Sequence, residues 1–330
     1  MSGVGSDARK SVLITGVAGY IGSHVLASLL TDGYSPKDVY GIDNFVTGEK
    51  FPLLDLINFT ELDLRDLPST IAKVGEINPD VVIHLAGNRF ARQSTSNPFN
   101  VYSTNVNSTI NLAEAVRICG NRPQIIFSSS CSVYGNSVGT ALETDPLNPI
   151  SPYGRSKVFC ERILEDFSKS GGGAPIILRY FNAAGYFPPA RSDEAREGLL
   201  ANLIHHAKNQ TDLPIFGTSL PTPDGTCIRD YVSVMDIARA HLAILRYLEL
   251  GLRPNHLSYN IGSSVGTSVL EIVDMFNRQA HCAVGVTAMP SANADPSIIS
   301  ADSSRFATEF NWHAQDDVTT IIKSLLPLVR

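Results

Sequence analysis

Short apolar runs rich in β-branched residues recur along the first half of the chain, separated by segments of helical periodicity. The runs are SVLITG (11 to 16), VYGID (39 to 43), FTELDL (59 to 64), VVIHLA (81 to 86), QIIFSSS (124 to 130) and PIILRYF (175 to 181). Between them, Val106, Ile110, Ala113 and Val116 share one expected helical face, closed by Gly120 as the residue just past the helix. Strands alternating with helices predict an α/β fold, a Rossmann-type doubly wound parallel sheet. Ligands of such sheets bind beyond the carboxyl ends of the strands. Gly16, Asp43, Asp63, Ala86 and Ser130 all fall at or just past those ends.

From Asn182 onward, proline and glycine break the pattern (GYFPP, GTSLPTPDGT). A helix is expected to begin at Ser233, where SVMD reads as a Ser x x Asp cap, and to run to Gly251; the strand LSYNIG (257 to 262) follows. These pieces return to the main sheet. The expected division is therefore interleaved: one lobe from 10–181 plus about 232–262, and a smaller mixed α/β lobe from 182–231 plus about 263–330. Residues 316–328 form a closing amphipathic helix with Val318, Ile321, Ile322 and Leu325 on one face.

With 330 residues, 43% of them hydrophobic, the chain can bury a large core. A net charge of −6 gives no basic stripe for nucleic acid, and no stretch reaches the length of a membrane span. The segment MSGVGSDARK has no apolar core of a secretory signal, so a cytoplasmic location is expected. Five cysteines without CxxC suit reduced thiols, and eight histidines without HExxH give no metal template. No metal is expected.

Candidate chemistry begins in the first turn. Gly16, Gly19 and Gly22 stand at GxxGxxG spacing between a strand and SHVLASLL, the setting of a dinucleotide-binding turn. Asp43 ends the second strand 21 residues after Gly22, where a carboxylate binds a ribose diol and repels a 2′-phosphate, so NAD is expected over NADP. In SPYGRSK, Tyr153 and Lys157 are four residues apart, one helical turn, so the ammonium can sit beneath the phenol and favour phenolate. A free tyrosine titrates at about 10, and service as a base near neutrality needs a shift of about 3 units. Ser130, 23 residues upstream of Tyr153, ends a strand in a hydroxyl able to share the reacting proton, whereas Ser128, Ser129 and Ser132 read as structural hydroxyls.

With TGVAGYIGSH, GIDN (41 to 44), HLAG (84 to 87), NVN (105 to 107), FSSSCSVYG, SPYGRSK, LRYFNAAG (178 to 185), GTCIRDYVSVMDIA (225 to 238) and YNIGSS (259 to 264), nearly the whole chain resembles the extended short-chain dehydrogenase/reductase family, and within it the UDP-galactose 4-epimerases. The resemblance implies Ser130, Tyr153 and Lys157 as the catalytic group and NAD as the cofactor. It implies that Gly16, Gly19, Tyr20, Ile21, Gly22, Asp43 and Asn44 line NAD, together with Asp63, Leu64, Leu85, Ala86, Gly87 and Arg89. Asn105, Ser128, Tyr153, Lys157 and Tyr180 complete that set. A nucleotide-sugar would meet Ser130, Ser132, Asn182, Asn202, Leu203, Phe216 and Arg229, with Ile299 beside the hexose. A homodimer is expected on the same ground.

The chain departs from the pattern in places. The family's second diphosphate arginine aligns with Ala292, and Arg89 replaces a lysine. Arg92 stands where glycine is usual, placed either to reach a substrate anion or to remain a solvated loop charge. Competing activities are a nucleotide-sugar 4,6-dehydratase, a 4-ketoreductase and a non-catalytic NAD-sensing relative. The dehydratases carry an Asp-Glu pair directly after the catalytic hydroxyl; here Cys131 and Ser132 occupy those places. A sensor would have lost the catalytic group that this chain keeps.

Overall fold

The computed structural model describes residues 9–89, 91–120, 122–137, 139–191, 198–290 and 296–329, without the side chains of 91–93. In chain order its strands are β1 (Val12–Thr15), β2 (Val39–Asp43), β3 (Asn58–Glu61), β4 (Val81–His84), β5 (Gln124–Ser130), β6 (Gly139–Ala141) and β7 (Ile176–Tyr180). They continue with β8 (Asn182–Ala184), β9 (Leu213–Phe216), β10 (Ile228–Ser233), β11 (Ser258–Ile261), β12 (Gly266–Ser268), β13 (Val286–Met289) and β14 (Ile298–Ala301).

Seven strands make one parallel sheet in the order β11-β7-β5-β4-β1-β2-β3. Both faces are covered, as parallel sheets require. Along β1 the side chains divide by the two-residue period: Val12 and Ile14 pack into one core, Leu13 into the core on the other face. The strand order reverses between β1 and β4, which opens the crevice at the end of β1. The described residues thus form the doubly wound α/β architecture expected from the alternation.

Phe181 is the crossing point between two sheets. β7 ends at Tyr180 in the main sheet, and β8 starts two residues later beside β10, with Asn182 opposite Tyr231. The smaller sheet runs β12-β10-β14-β6 with β8 on β10. After β10 the helix Val234–Glu249 carries the chain back to β11, next to β7.

Three local features differ from the periodicity. Ser103–Asn107 is a π-helical turn ahead of the helix Ser108–Cys119, and Ile110 is 44% exposed while Leu112, Ala115 and Val116 are buried. A π turn takes more residues per revolution, so a face drawn from Val106 at 3.6 residues per turn slips out of phase. Ser233 caps its helix through Met235 N, but the Asp236 carboxylate accepts from Gln315 N and Asp316 N, which pins the distant C-terminal segment. The closing helix spans Val318–Leu325 and ends in a 3-10 turn, Leu326–Leu328, with Ile321, Ile322 and Leu325 buried as expected.

A buried ion pair joins the elements beneath the crevice. Arg179 on β7 donates through Nη2 to Glu161 Oε2 at 2.8 Å and through Nε to Oε1 at 3.1 Å, with side chains 5% and 0% exposed. Glu161 also accepts from Ser129 Oγ on β5 at 2.5 Å, and Arg179 Nη1 reaches Tyr134 OH at 3.0 Å. Removing one partner strands the other's charge in the core. Arg179→Met should cost about 3–5 kcal/mol in urea unfolding, and Arg179→Met with Glu161→Leu should recover most of it. A single-variant loss below about 1 kcal/mol would contradict this account of the pair.

Candidate active site

The glycine turn is fixed by close packing. Gly16 has φ +74°, and a Cβ there would stand 2.6 Å from Ala86 N; a Cβ on Gly22 would stand 2.2 Å from Gly16 O. The helix Tyr20–Thr31 therefore starts tight against the end of β1, and its N-cap, Gly19, offers no side-chain acceptor. First-turn N–H groups without such an acceptor suit a diphosphate.

Asp43 ends β2 beside this turn. Its Oδ2 accepts from Ala18 N and its Oδ1 from Phe45 N, each at 2.9 Å, which leaves further lone pairs for a ribose. Burial pushes its carboxyl up, against the hydrogen bonds from the Phe45, Ala18 and Asn44 amides. Asp63, in contrast, is held down at about 2, chiefly by hydrogen bonds from Arg65, which grips both its oxygens at 2.6–3.1 Å. Asn44 Nδ2 donates to Asp63 Oδ2 at 3.1 Å.

At the far end of the crevice, Tyr153 and Lys157 lie on the helix Pro152–Phe167, which is capped by Ser151 accepting from Gly154 N. Both side chains are buried. Ser130, at the end of β5, shares the cavity wall with the Tyr153 phenol and favours its ionised form; its Oγ is 3.2 Å from both Ser132 N and Ser132 Oγ. Lys157 Nζ donates to Ser128 O at 2.7 Å and lies 5.9 Å from the Tyr153 ring centre.

Without bound ligands, the electrostatics do not favour a phenolate at Tyr153. In this structure burial pushes the Tyr153 phenol up to about 12, with Ser130 opposing it. Burial also lowers the Lys157 ammonium. One of the three ammonium donors is committed to the Ser128 carbonyl. Bringing a phenol from about 12 to neutrality requires about 5 units, or about 7 kcal/mol, which must come from groups that arrive with the ligands.

A second phenol, Tyr180, faces the same cavity. It is 3.0 Å from His241 Nε2, while His241 Nδ1 is 2.9 Å from Ile237 O, so the carbonyl assigns the ring proton to Nδ1 and the phenol donates to Nε2. Burial holds His241 down at about 4, hence neutral, and raises Tyr180 further than Tyr153. Tyr180 is thereby committed as a donor, and Tyr153 is the phenol left for proton transfer.

One cavity of about 420 Å³ runs from the glycine turn to these phenols. Its wall contains Gly16, Gly19, Tyr20, Ile21, Gly22, Asp43 and Asn44, then Asp63, Leu64, Leu85, Ala86, Gly87 and Arg89. Ser128, Ser130, Ser132, Tyr153, Lys157, Tyr180 and Asn182 complete the expected members. Asn105 stands behind the wall: its side chain brackets the Asn88 backbone, accepting from N at 2.7 Å and donating to O at 3.0 Å. Asn202, Leu203, Phe216, Arg229 and Ile299 are not in the wall; Leu203 and Ile299 are core residues, and Arg229 folds back onto the Ile228 carbonyl. The Arg92 side chain and Ala292 lie outside the described residues. Sequence reasoning missed Arg65, Thr47 and Arg191 in the wall. Only the i, i+2 spacing of Asp63 and Arg65 carried a signal.

No group of three or more metal-ligating side chains occurs among the described residues, and no helix among them is long and apolar enough to cross a membrane. The glycine approach, the open helix start and the Asp43 carboxylate fit NAD.

The model of the NAD dependent epimerase/dehydratase family matches residues 12–262. The chain belongs to that family. It is 34% identical to UDP-glucose 4-epimerase 2 of Arabidopsis thaliana, covering 96% of this chain and 94% of that protein. The UDP-glucose 4-epimerase of Lacticaseibacillus casei is 33% identical, with 95% of each covered. Among solved structures, the UDP-glucose-4-epimerase of Stenotrophomonas maltophila with bound NAD and formylated UDP-arabinopyranose superimposes at TM-score 0.89, with 29% identity over 97% of this chain and 98% of that one. The Brucella ovis UDP-glucose 4-epimerase in complex with NAD gives 0.88, with 33% identity over 96% and 97%.

Since burial disfavours phenolate, Tyr153 in NAD-stripped protein should stay protonated up to at least about pH 10. Ultraviolet tyrosinate titration of wild type against Tyr153→Phe checks this; a phenol that ionises near neutrality without NAD would contradict it.

Proposed function

We propose that this protein interconverts the C4 epimers of a nucleotide-activated hexose of the UDP-glucose/UDP-galactose type, using NAD and passing through a 4-keto sugar. The observation that carries the reading is the convergence of Ser130, Tyr153 and Lys157, the last one helical turn from Tyr153, in the wall of the cavity that begins at the glycine turn. The similarity to UDP-glucose 4-epimerases over nearly the whole chain supports it.

In this reading the Tyr153 phenol takes the proton of the sugar 4-hydroxyl, and Ser130 holds the reacting oxygen. Lys157 and Ser128 position the nicotinamide half, and Asp43 holds the adenosine ribose. NAD, when bound, supplies the hydride acceptor and a cationic ring, and returning the hydride to the other sugar face leaves no net redox change. That positive charge is the natural source of the phenol shift the protein itself does not provide. Asn182 and Ser132 are assigned to the sugar. Asn202, Leu203, Phe216, Arg229 and Ile299 are assigned to the nucleotide-sugar on resemblance, after rearrangement of the smaller lobe around it.

Dehydratase chemistry finds no support at Cys131 and Ser132: burial pushes the Cys131 thiol up to about 12, and a serine hydroxyl is no acid. We assign NAD to the lobe of 10–181 plus about 232–262 and the sugar nucleotide to the remainder. We also propose a cytoplasmic homodimer. Phe99 at 82% and Phe159 at 49% exposure, with the Tyr102 and Phe159 rings 5.9 Å apart, offer an apolar surface for the second copy.

The test is incubation with UDP-, dTDP-, GDP- and CDP-hexoses without added cofactor, resolving the C4 epimers. Turnover of a UDP-hexose is expected. Tyr153→Phe should fold, keep NAD and lose activity by several orders of magnitude; more than about a tenth of the wild-type rate would contradict its role as base. Asp43 should favour NAD over NADP by at least about tenfold in calorimetry, because a 2′-phosphate would meet a carboxylate, and equal affinities would refute that role.

A further inference from the structure

Residues 185–191, just after β8, run along the start of the helix Tyr20–Thr31 as a strap. Tyr20 OH donates to Gly185 O at 2.6 Å, Phe187 N to His24 Nε2 at 3.2 Å, and Arg191 N to Ser23 Oγ at 3.0 Å. Burial keeps His24 down at about 4, so it stays a neutral acceptor. The strap ends in Arg191, whose side chain is 12% exposed and lies in the cavity wall.

The Arg191 guanidinium joins two loops that face the adenosine half of the cofactor. Nη1 donates to Ala18 O in the glycine turn at 3.5 Å and to Thr47 O in the loop after β2 at 3.2 Å; Nη2 pairs with Glu49 Oε1 at 2.7 Å. Its charge also opposes the upward shift of Asp43. Glu49 is 60% exposed, so that pair orients the fork, while the two carbonyl contacts tie the loops together. Nε is buried and finds no hydrogen-bond partner among the described residues, although nearly all buried donors in folded proteins do. Such a donor in a ligand cavity awaits an acceptor from the ligand.

We infer that Arg191 is a cofactor-positioning residue, the latch by which the 185–191 strap closes the 44–49 loop over the adenosine half of NAD and slows its release. This rests on NAD being the cofactor of the cavity. The unused Nε–H meets an oxygen of the adenosine ribose or the diphosphate. The three-way tie fixes the spacing between the glycine turn and the ribose loop, and closure from the substrate lobe couples retention to that lobe.

NAD release from the full-length protein tests the inference without any turnover measurement. Loss of charge-assisted contacts should make Arg191→Met shed NAD about 30-fold faster, Arg191→Lys about tenfold and Glu49→Gln about threefold. Calorimetry with UDP should give wild-type affinity for all three, and the NAD-free proteins should unfold at the wild-type urea midpoint. A general packing defect would lower UDP affinity and midpoint together, and that result overturns the latch. Wild-type release rates for Arg191→Lys and Glu49→Gln overturn it as well, even if Arg191→Met does not fold. If NAD sheds as expected but no UDP-hexose is turned over, the latch stands and only the functional reading fails.

Discussion

A buried carboxylate and a buried guanidinium hold the elements of the proposed catalytic group in register. Glu161 lies one helical turn beyond Lys157 and two beyond Tyr153, on the same helix. It binds Arg179 of β7 and the Ser129 hydroxyl of β5, the residue before Ser130. The helix that offers the phenol and the strand that offers the hydroxyl thus share one charge pair below the floor of the site. The tie extends to the edge strand of the same sheet, because Arg179 donates to Tyr134 OH, which donates to Asn260 Oδ1 on β11. Desolvation makes such a pair a poor source of net stability but an unforgiving one to break, so its value here is geometric.

The same burial that fixes the geometry works against the chemistry. A phenol without water stays protonated, and the nearest ammonium is already bonded to the Ser128 carbonyl. A base poised before its ligands bind would be exposed to idle proton exchange. A phenol that becomes basic only beside a bound cation confines its reactivity to the loaded enzyme. Tyr180, fixed as a donor to neutral His241, shows how a similar phenol in the same cavity is kept out of proton transfer.

The sheet was legible because its central strands are short apolar runs, although the edge strand β3, NFTE, is not, and because the glycines have no alternative: a Cβ at Gly16 or Gly22 overlaps backbone. Ser130, Tyr153 and Lys157 were legible for a related reason, since a strand end and one helical turn are local geometry. What escaped the sequence depends on long-range placement. Arg191 is a lone arginine in a proline-rich loop, and its partners Ala18, Thr47 and Glu49 are more than 140 residues away. The phase of the helix Ser108–Cys119 was misread at Ile110 because a π turn has no signature in 3.6-residue periodicity. Of the substrate residues assigned by resemblance, Ser130, Ser132 and Asn182 line the cavity, whereas Asn202, Leu203, Phe216, Arg229 and Ile299 lie off its wall, where resemblance carries identity but not side-chain direction.

Whether hydrogen leaves and returns to the same carbon inside one closed site can be measured with a UDP-hexose carrying deuterium at C4. The purified protein, given no added NAD, is incubated with it in ordinary water and the products are read by NMR. The present account predicts both C4 epimers with deuterium retained at C4 and no accumulation of reduced cofactor. Deuterium lost to solvent, a 4-keto-6-deoxy product or a requirement for added reduced cofactor would contradict it.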